Sequence, residues 1–211
     1  MADTMMKANE KFGRLADEER LEKTASALEK NGIRAMIVDS GEEAKKKVLE
    51  LIPEGAEVMS MTSTTTDSIS LSKEIEESGR FVSVRKKLYS MDRNTQKAEM
   101  RKLGAAPEWA VGSVHAVTED GQVFVASASG SQLPGYSYGA GKVIWVVGSQ
   151  KIVRNVDEGL KRLYEYSLPY ENERAKKVYG MGSAVNKILI VNKEFEPERI
   201  TMILVKEKLG F

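Results

Sequence analysis

The sequence predicts an α/β fold built on a largely parallel sheet. Three observations carry that prediction. Short apolar runs alternate with capped helical stretches throughout the first half. Lys142 to Val146, KVIWV, is apolar enough to be a buried strand. No repeat, linker or low-complexity segment breaks the pattern, so 211 residues read as one domain. The division expected within it is a helical extension at 1–32 ahead of an α/β domain at 33–211.

Lys7 to Lys30 reads as one long helix or two short ones, with Phe12, Leu15, Leu21, Ala25 and Leu28 as a broken apolar stripe. Gly32 suits the left-handed residue that ends it. Arg34 to Val38 is a strand. Ser40-Gly41-Glu42-Glu43 fits a capping box, in which the serine hydroxyl takes a backbone N–H and Glu43 reaches back. The helix it opens runs to about Leu51, stopped before Pro53. Glu57 to Ser60 is a strand, Met61 to Thr66 a hydroxyl-rich loop, and Asp67 to Ser78 a helix. Phe81 to Val84 is strand-like, and Asp92 to Leu103 is a helix closed by Gly104. The second half is richer in strands: Trp109 to Val111, Ala116 to Thr118 and Gln122 to Ala126, with Asp120-Gly121 as a turn. Ser127 to Gly141 is a long loop. Beyond KVIWV, Asn155 and Glu158 cap a helix reaching Tyr166. Glu171 to Tyr179 is a second helix, and Lys187 to Val191 and Ile200 to Val205 are strands.

Composition narrows the function classes. Hydrophobic residues make up 41% and charged residues 30%, the balance of an ordinary globular protein. Lys and Arg total 32 against 31 Asp and Glu, a net charge of +1, which argues against a nucleic-acid binder. There is no cysteine, which excludes disulfides, thiol catalysis, Cys-ligated zinc and any iron–sulfur cluster held by this chain. The single histidine, His115, gives no basis for a His-rich metal site, and no metal is expected. No run approaches a membrane span. The polar stretch Met1 to Arg20 lacks the apolar core of a signal peptide, so a cytoplasmic protein is expected.

Four places bear on chemistry. Thr62-Ser63-Thr64-Thr65-Thr66 lies between a predicted strand and a predicted helix, where open α/β sheets bind ligands. One helix cap needs one hydroxyl, and five in a row exceed that need. The segment SASGSQLPGYSYGAG, Ser127 to Gly141, permits close backbone approach to a ligand, and Tyr136 and Tyr138 add groups able to stack or donate. Lys151, just beyond Gly148-Ser149-Gln150 at a strand end, suits an anion. Glu119 in Thr118-Glu119-Asp120-Gly121 is open to three readings: nucleophile, general base, or turn residue.

The run VGSVHAVTEDG at Val111 to Gly121 resembles the lactate-utilization (LUD) domain family. So do SGSQLP at Ser129 to Pro134, VVGSQKIV at Val146 to Val153, ENERA at Glu171 to Ala175, YGMGSAVNK at Tyr179 to Lys187 and VKEKLGF at Val205 to Phe211. The MTSTT segment and SVRKKLYSMDRNTQ, Ser83 to Gln96, are similar as well. The resemblance implies a Rossmann-like, parallel-rich sheet flanked by helices, similar to the sugar-phosphate isomerase and CoA-transferase fold. It implies a link to oxidation of L-lactate, in which sister subunits carry iron–sulfur clusters. Where many members have Glu-Thr-Gly-Thr, this chain has Glu119-Asp120-Gly121-Gln122. The same turn is similar to the Ser-Glu-Asn-Gly turn of CoA-transferases, whose glutamate forms an acyl-enzyme, and this makes Glu119 the catalytic candidate.

The expected site therefore combines Thr62, Ser63, Thr64, Thr65, Ser129, Gly130, Ser131, Gly148 and Lys151 as binding residues for a small carboxylate, phosphate or CoA-like anion. Whether the chain catalyses anything, and with what cofactor, stays open. Two alternatives stand beside it. One is an accessory subunit that contacts iron–sulfur lactate-oxidation subunits through a projecting N-terminal helix. The other is a transferase or isomerase that uses Glu119. No nucleic acid or membrane partner is expected, and a homo-oligomer is compatible with the sequence.

Overall fold

The structure, a computed structural model, describes residues 7–211, so the expected polar start at Met1 to Met6 lies outside the described residues. After a 3-10 turn at Glu10–Gly13 come α1 (Glu18–Lys30), β1 (Arg34–Val38), α2 (Gly41–Leu51), β2 (Glu57–Ser60), α3 (Thr64–Ser68) and α4 (Leu71–Glu77). Then follow β3 (Val82–Ser83), α5 (Val84–Ser90), α6 (Lys97–Ala105), β4 (Trp109–Gly112), β5 (Ala116–Thr118) and β6 (Val123–Ser127). β7 (Lys142–Gly148), β8 (Ile152–Val153), α7 (Val156–Arg162), α8 (Leu168–Tyr179), β9 (Lys187–Val191) and β10 (Ile200–Val205) complete the chain.

Strands β1, β10, β7, β4, β2 and β3 lie side by side in that order, every pairing parallel. A second sheet has the order β8, β5, β6, β9, parallel at β5–β8 and antiparallel elsewhere. β7 shows why the first sheet is central. Val143, Trp145 and Val147 enter one core, while Ile144 and Val146 enter another, the period of two expected of a strand covered on both faces. On one side Ala44, Val48, Leu71 and Ile75 of α2 and α4 cover the sheet. On the other lie Leu21 and Leu28 of α1 together with Val117, Val123 and Val125 of the second sheet. The outer face of the second sheet packs Phe124 and Ala126 against Leu163 and Tyr166.

Several boundaries differ from expectation, each for a local reason. The stretch at Lys7 to Lys30 is a turn and one helix, and that helix does not project, since Leu21 and Leu28 are buried in the principal core. Asp17 caps it, accepting from the Arg20 N–H at 2.9 Å. In the capping box Ser40 Oγ accepts from the Glu43 N–H as expected, but the Glu43 carboxylate reaches back to the N–H of Asp39. The helix expected at Asp67 to Ser78 is two, separated by left-handed Ser70. β3 is two residues long because the Ser83 hydroxyl caps α5, accepting from the Lys86 N–H. The helix at Lys97 starts later than expected because Asp92 folds the chain on itself, accepting from the Asn94 N–H and the Thr95 hydroxyl. Gly104 stays inside that helix.

The largest difference is at Pro169. Proline normally ends a helix because it lacks the N–H that the carbonyl four residues earlier needs. Here α7 runs through a π-helical turn, Leu163–Ser167, directly into α8. The carbonyl left without its helical partner, Glu165 O, accepts from the Asn9 N–H at 2.8 Å instead. That contact ties the N-terminal segment to the helix, and the helix forms a wall of the site.

Candidate functional site

Strands β7, β4 and β2 are neighbours, and their carboxyl ends deliver the site. Thr62, Ser63 and Thr64 follow β2, Ser113 to His115 follow β4, and Ser149–Lys151 follow β7 as a 3-10 turn. This is the edge at which open parallel sheets bind ligands. Facing it are the end of β6 and the helix running through Ser167 into α8. Between them lies a cavity of about 410 Å³. Its lining includes the three hydroxyl residues, Ser113, His115, Ser127, Ser129, Ser131, Lys151, Ser167, Glu171, Arg174 and Phe211.

Lys151 anchors the floor. It is 2% exposed. Its Nζ donates to Thr65 Oγ1 at 2.8 Å, Ser113 Oγ at 3.0 Å and Val114 O at 3.0 Å. All three are neutral oxygens, and no carboxylate among the described residues pairs with it. Burial, and then the nearby charge of Arg162, push the amine well below its ordinary range. Arg162 is fully buried behind the wall. Its Nη1 donates to His115 O and to Ser167 Oγ, while Nε and Nη2 have no protein partner. It too lacks a carboxylate, and burial lowers it to about 9. His115 is half-buried on the cavity wall. The Ala126 N–H donates to its Nδ1 at 3.1 Å, so the neutral ring carries its proton on Nε2. Desolvation, with the charges of Lys151 and Arg162, pushes it down to about 3. The ring is neutral at physiological pH.

Across the cavity, Arg174 grips Glu171 with two bonds of 2.7 Å, so that pair is self-neutralised. A second crevice, of about 380 Å³, lies beside the Glu10–Gly13 turn, and its Lys11 and Arg154 both pair with Glu158. At the strand ends Lys151 lines the cavity with no carboxylate partner among the described residues.

The structure brings together Thr62, Ser63, Thr64, Ser129, Ser131 and Lys151. Thr65 stands behind the wall, accepting from Lys151 and donating to Leu209 O at 3.1 Å. The two glycines serve packing instead. A Cβ on Gly148 would meet Gln150 Oε1 and the backbone of Glu207 and Leu209, so its bareness admits the C-terminal segment. Gly130, at φ +85°, lies against the Lys187 side chain. Glu119 is not at the cavity. It accepts from Arg20 Nε at 2.8 Å and Lys23 Nζ at 2.9 Å, fastening α1 to the β5–β6 hairpin. Of the two tyrosines, Tyr136 is buried edge-on to Trp145 and Tyr138 is exposed. Most of the expected loop at Ser127 to Gly141 is wound up, with a π-helical turn at Gly135–Gly139 that Arg199 fastens through Tyr136 O and Ala140 O. Asn186 and Lys187 do not line the cavity but donate to Ala128 O and Ser129 O, holding the serine-rich wall to β9.

Reading the residues for chemistry misses Ser113, Ser167, Arg162 and the Glu171–Arg174 pair as site components. Arg162 carries no local signal, since nothing in its helix distinguishes a buried arginine from an exposed one. The ENERA and YGMGSAVNK runs were a signal for the far wall, because Glu171, Arg174 and Met181 to Val185 line it.

The fold and cavity define an α/β domain that places hydroxyls and a buried lysine at the carboxyl edge of a parallel sheet, with a buried arginine behind them. Residues 21–205 match the LUD domain model, and the chain belongs to the LUD domain family. It is similar to a DUF162 family protein of Deinococcus radiodurans, with 12% identity, 91% of this chain and 99% of that one covered, and a TM-score of 0.55. That likeness is one of fold. Looser overlaps are with eIF2B beta of Chaetomium thermophilum (13% identity, 56% of this chain and 44% of that one, TM-score 0.37) and ribose 5-phosphate isomerase of Plasmodium falciparum (8% identity, 75% and 80%, TM-score 0.33). No curated protein matches the chain. Among the described residues, no helix is long and apolar enough to cross a membrane, and no group of His, Asp or Glu is placed to hold a metal ion.

Proposed function

We propose that this LUD domain protein binds a small carboxylate or phosphate in the cavity at the ends of β2, β4 and β7, in the organic-acid metabolism to which the lactate-utilization family is linked. One observation carries the reading. Lys151 and Arg162 are both buried, at 2% and 0% exposure, and among the described residues neither has a carboxylate partner. Burying a charge without compensation costs several kcal/mol; that cost holds Lys151 toward the neutral amine, and a bound anion offsets it, favouring the ammonium and offsetting the charge of Arg162. The hydroxyls of Thr62, Ser63 and Thr64 and of Ser129 and Ser131 surround the cavity with donors suited to its oxygens.

The test is a thermal-shift series of the full chain with inorganic phosphate, small organic acids, sugar phosphates and CoA compounds. A ligand at about a hundred times its Kd adds roughly 2.7 kcal/mol of stability. Lys151→Met should keep the fold, because an apolar chain of similar length replaces a desolvated amine, and should lose the response. The proposal fails if no anion shifts the parent protein, or if the shift is the same in Lys151→Met.

A further inference from the structure

We infer that Lys151 condenses with the carbonyl carbon of a small oxo acid, forming an imine while the hydroxyls after β2 hold the acid's carboxylate. This rests on the anion-binding reading above and extends it by naming the reacting group and the substrate class. The argument starts from the three partners of Nζ. Val114 O is a carbonyl and only accepts. Thr65 Oγ1 spends its proton on Leu209 O and therefore also accepts from Nζ. Ser113 Oγ is different. It accepts from Nζ at 3.0 Å and directs its own O–H at Val114 O over 3.4 Å, a contact too long to be strong, so of the three partners it is the one that can turn its O–H toward Nζ. The three oxygens can accept from an ammonium, and because Ser113 can reverse its hydroxyl they serve equally a neutral amine, which has two N–H groups and one lone pair.

The surroundings favour that form. Arg162 is a buried cation near enough to lower the proton affinity of Lys151, and among the described residues no carboxylate pairs with either one. A lysine desolvated beside another cation is an established way to make an amine nucleophilic at neutral pH. Burial and Arg162 both lower its proton affinity, in keeping with the geometry.

The chemistry balances without an oxidant or reductant. The Nζ lone pair adds to the carbonyl carbon, and the C=O π electrons move to oxygen, which takes up a proton. Nitrogen gives a proton to Ser113 Oγ, which returns it as the hydroxyl leaves as water. The products are a C=N bond carrying one positive charge and one water, formed from amine, oxo acid and one proton. His115, with its proton on Nε2 and that atom without a partner among the described residues, stands on the same wall to hydrogen-bond the departing oxygen, while the proton consumed comes from solvent. The iminium charge is then offset by the substrate's own carboxylate.

The experiment is reductive trapping. The full chain is incubated with glyoxylate or pyruvate and cyanoborohydride, digested, and mapped by mass spectrometry. Exposed lysines such as Lys46 and Lys73 are internal controls. The expected result is an adduct on Lys151 ahead of those controls, suppressed by inorganic phosphate and lost in Lys151→Arg. The uncharged aldehyde propanal should label Lys151 less than glyoxylate does. Labelling confined to exposed lysines overturns the imine, and equal labelling of Lys151 by propanal overturns the oxo-acid class. If phosphate stabilises the protein but no adduct reaches Lys151, anion binding stands and the imine falls. If neither occurs, both readings fall. Mapping the parent protein decides the matter even if Lys151→Arg does not fold.

Discussion

Replacing Glu119 by glutamine separates a catalytic carboxylate from a structural one. In the structure Glu119 is shielded, at 14% side-chain exposure, and faces Arg20 at 33% and Lys23 at 58%. Partial desolvation pushes its carboxyl up, but hydrogen bonds from Lys23 and Arg20, with their charges, outweigh it and hold the group below its ordinary value. Hydrogen bonds to charged groups are worth about 1.5–3 kcal/mol, while exposed ion pairs are worth about 0.2–1 kcal/mol. A shielded carboxylate facing a guanidinium one-third exposed falls between them, so Glu119→Gln should cost roughly 1–2 kcal/mol. For a chain of this size that is a drop in Tm of roughly 2–8 °C. The folded-state pKa is depressed, so the stabilisation is present above the unfolded value of 4.5 and fades as pH falls through the folded value. The parent and variant melting temperatures should therefore converge in acid. Circular dichroism melts at neutral and acidic pH measure this, with inorganic phosphate added to read the cavity. A variant that melts like the parent yet no longer responds to phosphate would refute the structural role and return Glu119 to the site.

Two further predictions follow the same logic. Leu28→Ala on α1 should cost about 2–5 kcal/mol by denaturant unfolding, as for a filled core position; a loss under about 0.5 kcal/mol, the range of exposed sites, would mean that the helix is not part of the core. His115 is held neutral in the fold, down to about 3, whereas the unfolded chain protonates it at 6.5. Between those values the unfolded state binds the extra proton, so stability falls as pH falls, by at most about 1.4 kcal/mol per pH unit. His115→Asn, which keeps an acceptor for the Ala126 N–H, should lose that part of the slope; identical slopes in both proteins would show that the ring titrates normally.

Periodicity located the strands closely. β1, β2, β5, β9 and β10 fall within the ranges that their apolar residues mark, because a strand that packs even one face carries apolar residues there whatever surrounds it. The hydroxyl run and Lys151 were legible for a related reason: five hydroxyls at one strand end, and a lysine at another, fit the ligand-binding edge of a parallel sheet. The absence of cysteine fixed, from composition alone, that the chain holds no iron–sulfur cluster. Other features depended on which distant segments meet. Pro169 sits just past a π-helical turn without ending the helix, and Asn9, far away in sequence, takes up the Glu165 carbonyl. Glu119 is drawn to α1 because Arg20 and Lys23 lie across from it, and no local pattern encodes that meeting. Lys151 became more than a strand-end cation only when folding placed Arg162 near it and gave neither a carboxylate. The sequence names the groups that can carry charge, but their electrostatics depend on distance and burial, and these the tertiary structure decides.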